Sequence, residues 1–128
     1  MGIVEETQVA KNMSFVPATE IKGSKVVNVK EENQEENLGT IEEVMIDPEH
    51  GRIAYVVLSF GGLLGMGNKL FAIPWESLEY NRGDYILRLD KSILEKAEGF
   101  DKEEWSLTRD ELAKVYTHCG IQPYWISK

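Results

Sequence analysis

Cysteine, histidine and long apolar runs are all scarce in this 128-residue chain. The single cysteine, Cys119, cannot form an internal disulfide, and this is typical of a reducing compartment. A structural zinc site needs about four cysteine or histidine ligands, whereas the chain has only Cys119, His50 and His118. We therefore predict no metal site.

The least polar stretch, residues 53–67, is short and interrupted by glycine. A membrane-spanning helix needs about 20 apolar residues, so this stretch is too short to be one. The first residues, MGIVEETQVAK, lack the basic and apolar regions of a signal peptide. We expect a cytoplasmic protein without direct membrane insertion.

Positive charge is also in the minority. The chain has 22 acidic and 14 basic residues, and its formal net charge is -8. Proteins that bind nucleic acids neutralise phosphates with a positive surface, so this balance argues against DNA and RNA as partners. It argues equally against electrostatic binding to anionic lipids.

The segment SFGGLLGMGNKLFAIPW (residues 59–75) raises the question of a phosphate-binding loop. Gly62 and Gly67 have the spacing of the motif G-x-x-x-x-G-K-[ST], but Asn68 occupies the lysine position and Lys69 comes one residue late. A strand-like run follows, whereas a phosphate loop leads into a helix N-terminus. We interpret the glycines as a backbone corner between strands.

Three apolar side chains, Leu63, Leu64 and Met66, lie at the tip of this glycine loop. They either fold back onto the core or form an interaction surface. The sequence favours neither interpretation over the other.

Catalytic patterns are absent from the sequence. His118 and Cys119 combine a base and a nucleophile, but neighbouring helical residues point about 100° apart and do not face each other. No spacing singles out a pair of carboxylates for acid–base work. We predict a protein that is not an enzyme and needs no cofactor.

Alternating and β-branched residues predict a chain of short strands. Pro48 and Gly51 predict a hairpin turn between two of them, and the second strand of that hairpin is apolar on both faces. Such a strand is buried on both sides: it is either central in a closed core or covered by another element or by another subunit. The predicted strands are Lys25–Val29, Leu38–Asp47, Arg52–Phe60, Lys69–Pro74 and Tyr85–Asp90, with a polar loop over Lys30–Asn37.

The C-terminal residues change to a helical period. Thr108 and Glu111 have the spacing of a capping box, and Gly120 occupies the position of a helix C-cap. Between them, Leu112, Val115, Tyr116 and Cys119 form one apolar stripe. Two adjacent aromatic residues, Tyr124 and Trp125, follow the helix.

The order of these features resembles a PRC-barrel domain over residues 18–104. This family is named for the cytoplasmic domain of the photosynthetic reaction-centre H subunit, and it also occurs in the ribosome maturation factor. The residues that carry the resemblance are Gly39, Asp47, Pro48, Gly51, Gly61, Gly62, Gly65, Gly67, Pro74 and Trp75.

The resemblance implies a mainly β protein: a small, highly curved antiparallel barrel of about six strands, here followed by a C-terminal helix and tail. It implies a binding or assembly module with no active site. The expected parts are an N-terminal arm (1–17), the barrel domain (18–104) and the C-terminal helix with its aromatic tail (105–128).

From these residues we expect a non-catalytic protein-binding module that forms a homodimer. The candidate interaction surface consists of Leu63, Leu64, Met66, Tyr116, Tyr124 and Trp125. Two alternatives stay open: a barrel that binds a small ligand or cofactor, and a role at the ribosome or on RNA.

Overall fold

The computed structural model of the chain describes residues 15–31, 34–59, 70–89, 91–97, 99 and 106–126. Within these ranges it contains six strands, three α-helices and a 3₁₀ turn at Trp75–Ser77. The strands are β1 (Lys25–Glu31), β2 (Gln34–Asp47), β3 (Arg52–Ser59), β4 (Leu70–Pro74), β5 (Leu78–Asn81) and β6 (Asp84–Leu87). The helices are α1 (Ala18–Ile21), α2 (Lys91–Glu95) and α3 (Arg109–His118).

The six described strands form one curled sheet in the order β4-β3-β2-β1-β6-β5. The two edge strands, β4 and β5, are consecutive in the chain and are joined by the 3₁₀ turn alone. The sheet therefore curls until its edges approach each other at this turn. Pro74 ends β4, since proline has no N–H to donate to a neighbouring strand. This curvature confirms the small barrel that the resemblance implied.

Bulges contribute to the curvature of the sheet. The β2–β3 pairing passes from Met45–Tyr55 to Ile46–Ile53, which leaves Ala54 as an additional residue on β3. The β1–β2 pair contains irregularities of the same kind. An extra residue bends its strand and increases the local twist.

Two glycines of the family signature have a conformational role. Gly39 has a φ of 152° next to Leu38, the additional residue of a bulge in β2. Gly51 has a φ of 66°, and its N–H donates to the Asp47 carbonyl at 2.8 Å, which closes the predicted β2–β3 turn. Residues with a Cβ atom rarely adopt these backbone conformations.

One strand pair departs from the antiparallel prediction. β1 and β6 run parallel, with Val26 opposite Tyr85 and Asn28 opposite Leu87, whereas the other four pairs of the described sheet are antiparallel. The buried Asn28 side chain donates to the carbonyl oxygens of Leu87 and Leu89, both at 2.9 Å. These two bonds hold β1 against the end of β6.

The polar segment Lys30–Asn37 was predicted as a loop, and this was wrong for its described part. β1 continues to Glu31, and β2 begins at Gln34, so most of the segment is strand. Strand pairing needs only backbone donors and acceptors, and an antiparallel strand tolerates polar side chains on its solvent side. The predicted strands also did not include β5.

The inner face of the curled sheet carries the main hydrophobic core. This core, which we call the inner core, combines apolar side chains from the strands with one residue each from α1 and α2. Its buried members are Ile21, Val26, Leu38, Ile41, Val56, Leu58, Phe71, Ile73, Tyr85, Leu87 and Leu94. These described side chains therefore pack against one another on the inside of the curled sheet.

The outer face of the sheet carries a second apolar cluster, which α3 covers. Ala54, Tyr55, Val57 and Leu70 of the sheet pack there against α3 and the residues that follow it. The prediction that β3 is covered on both faces is confirmed, and the covering element belongs to the same chain.

The start and end of α3 agree with the sequence pattern. Thr108 Oγ1 accepts a hydrogen bond from the Glu111 N–H at 3.1 Å, and Glu111 Oε1 accepts from the Thr108 N–H at 2.8 Å. Gly120, with a φ of 77°, follows the last turn. The predicted boundaries after residues 17 and 104 stay predictions, since residues 1–14 and 100–105 lie outside the described part.

Candidate functional site

Asp47 is a buried carboxylate at the end of β2, with 4% of its surface exposed. Its Oδ1 accepts hydrogen bonds from the backbone N–H groups of Glu49 at 3.0 Å and His50 at 3.3 Å. An aspartate before a turn typically accepts hydrogen bonds from the backbone N–H groups of the turn, which have no strand partner. These two bonds therefore orient the Asp47 side chain towards the turn.

The C-terminal residues supply the other partners of this carboxylate. Arg109, in the first turn of α3, approaches it with Nη1 at 3.0 Å from Oδ2 and Nη2 at 3.3 Å from Oδ1. The Tyr124 hydroxyl donates to Oδ2 at 2.5 Å, and His50 Nδ1 lies 3.0 Å from the same oxygen. Asp47 therefore joins the β2–β3 turn to both ends of the C-terminal region.

These contacts shift the protonation equilibria. The Arg109 guanidinium, and next the Tyr124 hydroxyl, hold the pKa of Asp47 well below its ordinary value of 3.8. Burial, and then the hydrogen bond to Asp47, raise the pKa of Tyr124 to about 12. Asp47 is consequently ionised and Tyr124 is neutral throughout the physiological range.

A second polar contact lies beside the first. Arg52 Nη2 donates to Glu76 Oε2 at 2.6 Å, and its guanidinium carbon lies 3.7 Å from the centre of the Tyr124 ring. The hydroxyl of Tyr116 donates to the Ala54 carbonyl at 2.7 Å or to Glu76 Oε1 at 2.8 Å. Burial, and then the Glu76 carboxylate, raise the pKa of Tyr116.

The Ala54 carbonyl belongs to the bulge residue of β3, so Tyr116 provides a hydrogen bond where the regular strand pairing is interrupted. Around it, Tyr116, Tyr124 and Trp125 form three edge-to-face ring contacts with centroids 4.9–6.0 Å apart. The aromatic tail is therefore part of the packed layer over the outer face.

Asp47, Glu49 and His50 offer ligand atoms within 4.8 Å of one another, which raises the possibility of a metal site. However, both oxygens of Asp47 already accept hydrogen bonds from Arg109. A cation would have to displace the Arg109 guanidinium from the buried Asp47 carboxylate. Its other two ligands in this group would be the exposed Glu49 carboxylate and the His50 imidazole. The trio is better explained as the ionic contact that holds α3.

The His118–Cys119 pair does not form a dyad. His118 Nε2 lies 2.8 Å from the Ile93 carbonyl, which links α3 to α2. Cys119 is buried, and burial raises the pKa of its thiol to about 11, so the reactive thiolate is disfavoured. Both residues lie beside a groove of about 890 Å³ between β4, α2 and α3.

The candidate interaction surface is only partly described. Leu63, Leu64 and Met66 lie outside the described residues, as do Gly61, Gly62, Gly65 and Gly67 of the signature. Tyr116 is fully buried and belongs to the packed layer over the outer face. Tyr124 and Trp125 are half-buried against it, so much of their apolar surface is already covered within the chain.

Sequence reasoning missed the ionic partners of this layer, namely Arg52, Glu76 and Arg109. Arg109 is 62 residues from Asp47 along the chain, and its place after the helix cap carries no local pattern that points to a partner. Asp47 itself was predicted as the last residue of a strand before a turn, which is correct, but its contacts with Arg109 and Tyr124 depend on tertiary structure.

Within the described residues, no helix combines the length and the apolar character needed to cross a lipid bilayer. A family model of the PRC-barrel domain matches residues 13–94, more than half of the chain. This range contains the six described strands and ends before α3. No curated protein matches the chain. The fold and the family match agree, and the chain belongs to the PRC-barrel domain family.

Proposed function

We propose that this chain is a non-catalytic protein-binding or assembly module. One observation carries the proposal: three groups with shifted pKa values, Asp47, Arg109 and Tyr124, are bonded to one another through the Asp47 carboxylate, between the barrel and the C-terminal region. The hydroxyl of Tyr116, whose pKa is also raised, donates to the Ala54 carbonyl or to Glu76 on the barrel. Perturbed pKa values often indicate catalysis, but structural networks perturb them too, and these contacts provide a structural cause.

Exposed apolar side chains in the described part offer points of contact for a partner. Phe15 is 84% exposed and Ile46 is 58% exposed. Scattered apolar residues of this kind are common on protein surfaces, so their role needs a direct test. Replacing either by serine removes apolar surface without opening a cavity in the inner core.

The test is affinity purification of the tagged full chain from native lysate, with the double variant Phe15→Ser and Ile46→Ser as a matched bait. We expect a protein that is enriched with the wild-type bait, is depleted with the variant, and binds the purified chain in calorimetry. If both baits recover the same proteins as the tag alone, the proposal is wrong.

The homodimer stays a prediction, and it has less support than the sequence suggested. One of its two arguments was the apolar second face of β3, and α3 of the same chain covers that face. The other relied on apolar residues of the loop tip and tail; the former lie outside the described residues and the latter pack on Tyr116. Light scattering of the protein at tens of micromolar measures its molecular mass and so distinguishes a monomer from a dimer.

A second candidate function is binding of a small ligand, which one observation favours. The groove between β4, α2 and α3, at about 890 Å³, has the size of known ligand pockets. Its lining includes Phe71, Ile73 and Leu94 of the inner core together with residues of α3. A native mass spectrum of the freshly purified chain should show an additional bound mass if this candidate is correct. No feature of the described residues favours the ribosome or RNA alternative.

A further inference from the structure

The C-terminal residues 106–126, which we call the strap, form a separate layer over the sheet. The buried members of the inner core all lie between Ile21 and Leu94, so none of them comes from the strap. The family match also ends at residue 94. The strap can therefore leave the sheet without removing any buried side chain from the barrel interior.

We propose that the outer face of β2, β3 and β4 is a docking surface for an amphipathic helix with an arginine in its first turn, and that the strap occupies this surface in the absence of a partner. The inference rests on the proposed function, since it names the surface and the partner of a protein-binding module. The partner is identified by what the strap itself presents.

The apolar part of the surface specifies a helix. Tyr55, Val57 and Leu70 form its buried floor, and α3 places Leu112 and Tyr116 on that floor. Because these two residues are four positions apart, they lie on the same side of a helix. A partner helix needs the same spacing of large apolar side chains.

The polar part of the surface specifies the helix N-terminus and its charge. The Tyr55 hydroxyl accepts a hydrogen bond from the Leu107 N–H at 3.0 Å, just before the helix begins. The Asp47 carboxylate accepts hydrogen bonds from the two terminal nitrogens of Arg109. A helix without this arginine leaves a buried carboxylate without its cation, which is strongly unfavourable, so Asp47 selects among apolar helices.

The test uses the strap sequence as the probe. A labelled peptide of residues 106–126 is titrated, by fluorescence anisotropy, into the full chain carrying Arg109→Ala, whose own strap lacks the cation for Asp47. We expect roughly tenfold tighter binding of the wild-type peptide than of a peptide carrying Arg109→Ala, the size of effect typical of hydrogen bonds to a charged group. In a chain carrying Asp47→Asn as well, the two peptides should bind equally.

Glu49 provides a matched control, because it is an exposed carboxylate 3.4 Å from the same guanidinium. A chain with Arg109→Ala and Glu49→Gln should retain the preference for the wild-type peptide. Equal binding of both peptides to the Arg109→Ala chain overturns the proposal. So does failure of that chain to fold, since the strap would then be inseparable from the barrel.

Hydrogen exchange of the wild-type chain gives an independent readout. The amides of α3 should exchange at least about tenfold faster than those of β1 and β6, as expected for a layer that opens locally. If they exchange together with the barrel strands, the strap does not open separately and the inference fails. The purification experiment would still decide the proposed function, so the two failures are distinguishable.

Discussion

The two faces of β3 show how one strand supports two different kinds of packing. Val56 and Leu58 point into the inner core, where their contacts are with apolar side chains of the barrel. Val57 points to the outer face, where apolar contacts with α3 are combined with buried hydroxyl groups and a carboxylate. The free energy gained by burying apolar surface depends little on the orientation of the groups, whereas a hydrogen bond requires a matching donor or acceptor at the right distance and angle. The inner core therefore maintains the barrel, and the outer layer selects what covers it.

Leu58→Ala should give the largest effect, because it opens a cavity in the inner core. Leu58 is fully buried, and such truncations cost about 2–5 kcal/mol of the free energy of unfolding. Urea denaturation followed by circular dichroism measures the loss. Ile46→Ala, at an exposed position, is the control and should change the value by less than about 0.5 kcal/mol. Equal effects at the two positions would contradict the assignment of Leu58 to the core.

Val56→Ala and Val57→Ala compare the two faces directly. The residues are adjacent and both are 0% exposed, so the substitution removes the same buried groups on opposite sides of the sheet. Each should lower the free energy of unfolding by about 1.6 kcal/mol or more, from two methylene equivalents at about 0.8 kcal/mol each.

Hydrogen exchange separates the two variants, because only one of them changes the strap contact. Val57→Ala should accelerate exchange of the α3 amides, whereas Val56→Ala should leave it unchanged while the strands become less protected. If both variants accelerate α3 exchange equally, the two faces belong to one cooperative unit.

Tyr116→Phe removes one hydroxyl from the outer layer and keeps the ring. The Ala54 carbonyl then loses a hydrogen bond in a buried position, which costs about 1–3 kcal/mol. Tyr80→Phe is the matched control, because Tyr80 is half-exposed on β5 and surface substitutions change stability by less than about 0.5 kcal/mol. Urea denaturation of both variants is the measurement. If the two variants lose the same free energy of unfolding, the hydrogen bond from Tyr116 to the Ala54 carbonyl does not stabilise the bulge.

Local patterns predicted a large part of this fold. The β2–β3 turn follows from Pro48 and Gly51, and the start of α3 follows from Thr108 and Glu111, since each pair acts over a few residues. The strands on both sides of the glycine loop were also expected, although the loop itself lies outside the described residues.

Contacts between distant residues were not predictable from one sequence. With 14 basic and 22 acidic residues, no pattern indicates that Arg109 pairs with Asp47. The parallel pairing of β1 with β6 depends on how the chain returns across the sheet, and no single strand encodes it. The ionic partners in the candidate site were missed for the same reason: they come together only when α3 packs on the outer face.

The pH dependence of the strap contact is the smallest expected effect. Asp47 has a lowered pKa when folded, so its contribution to stability is complete above its unfolded value of 3.8 and is lost as the pH falls below that value. Tyr124 has a pKa raised from 10.0 to about 12, so its contribution is complete below pH 10.0 and is lost between these two values. Arg109, His50 and Glu49 are the other charged or titratable groups at Asp47.

The variant Tyr124→Phe isolates this behaviour, because it keeps the ring on Arg52 but has no phenolic proton. The stability difference between the wild type and this variant, taken from urea midpoints, should be constant from pH 3.8 to 10.0 and should shrink as the pH rises towards about 12. Asp47→Asn should remove the loss at acid pH instead, and His50→Gln should retain both ends of the profile. If the wild type and Tyr124→Phe have the same stability at every pH, the Tyr124 hydroxyl contributes nothing to holding the strap. The polar contact between the strap and Asp47 would then depend on Arg109 alone.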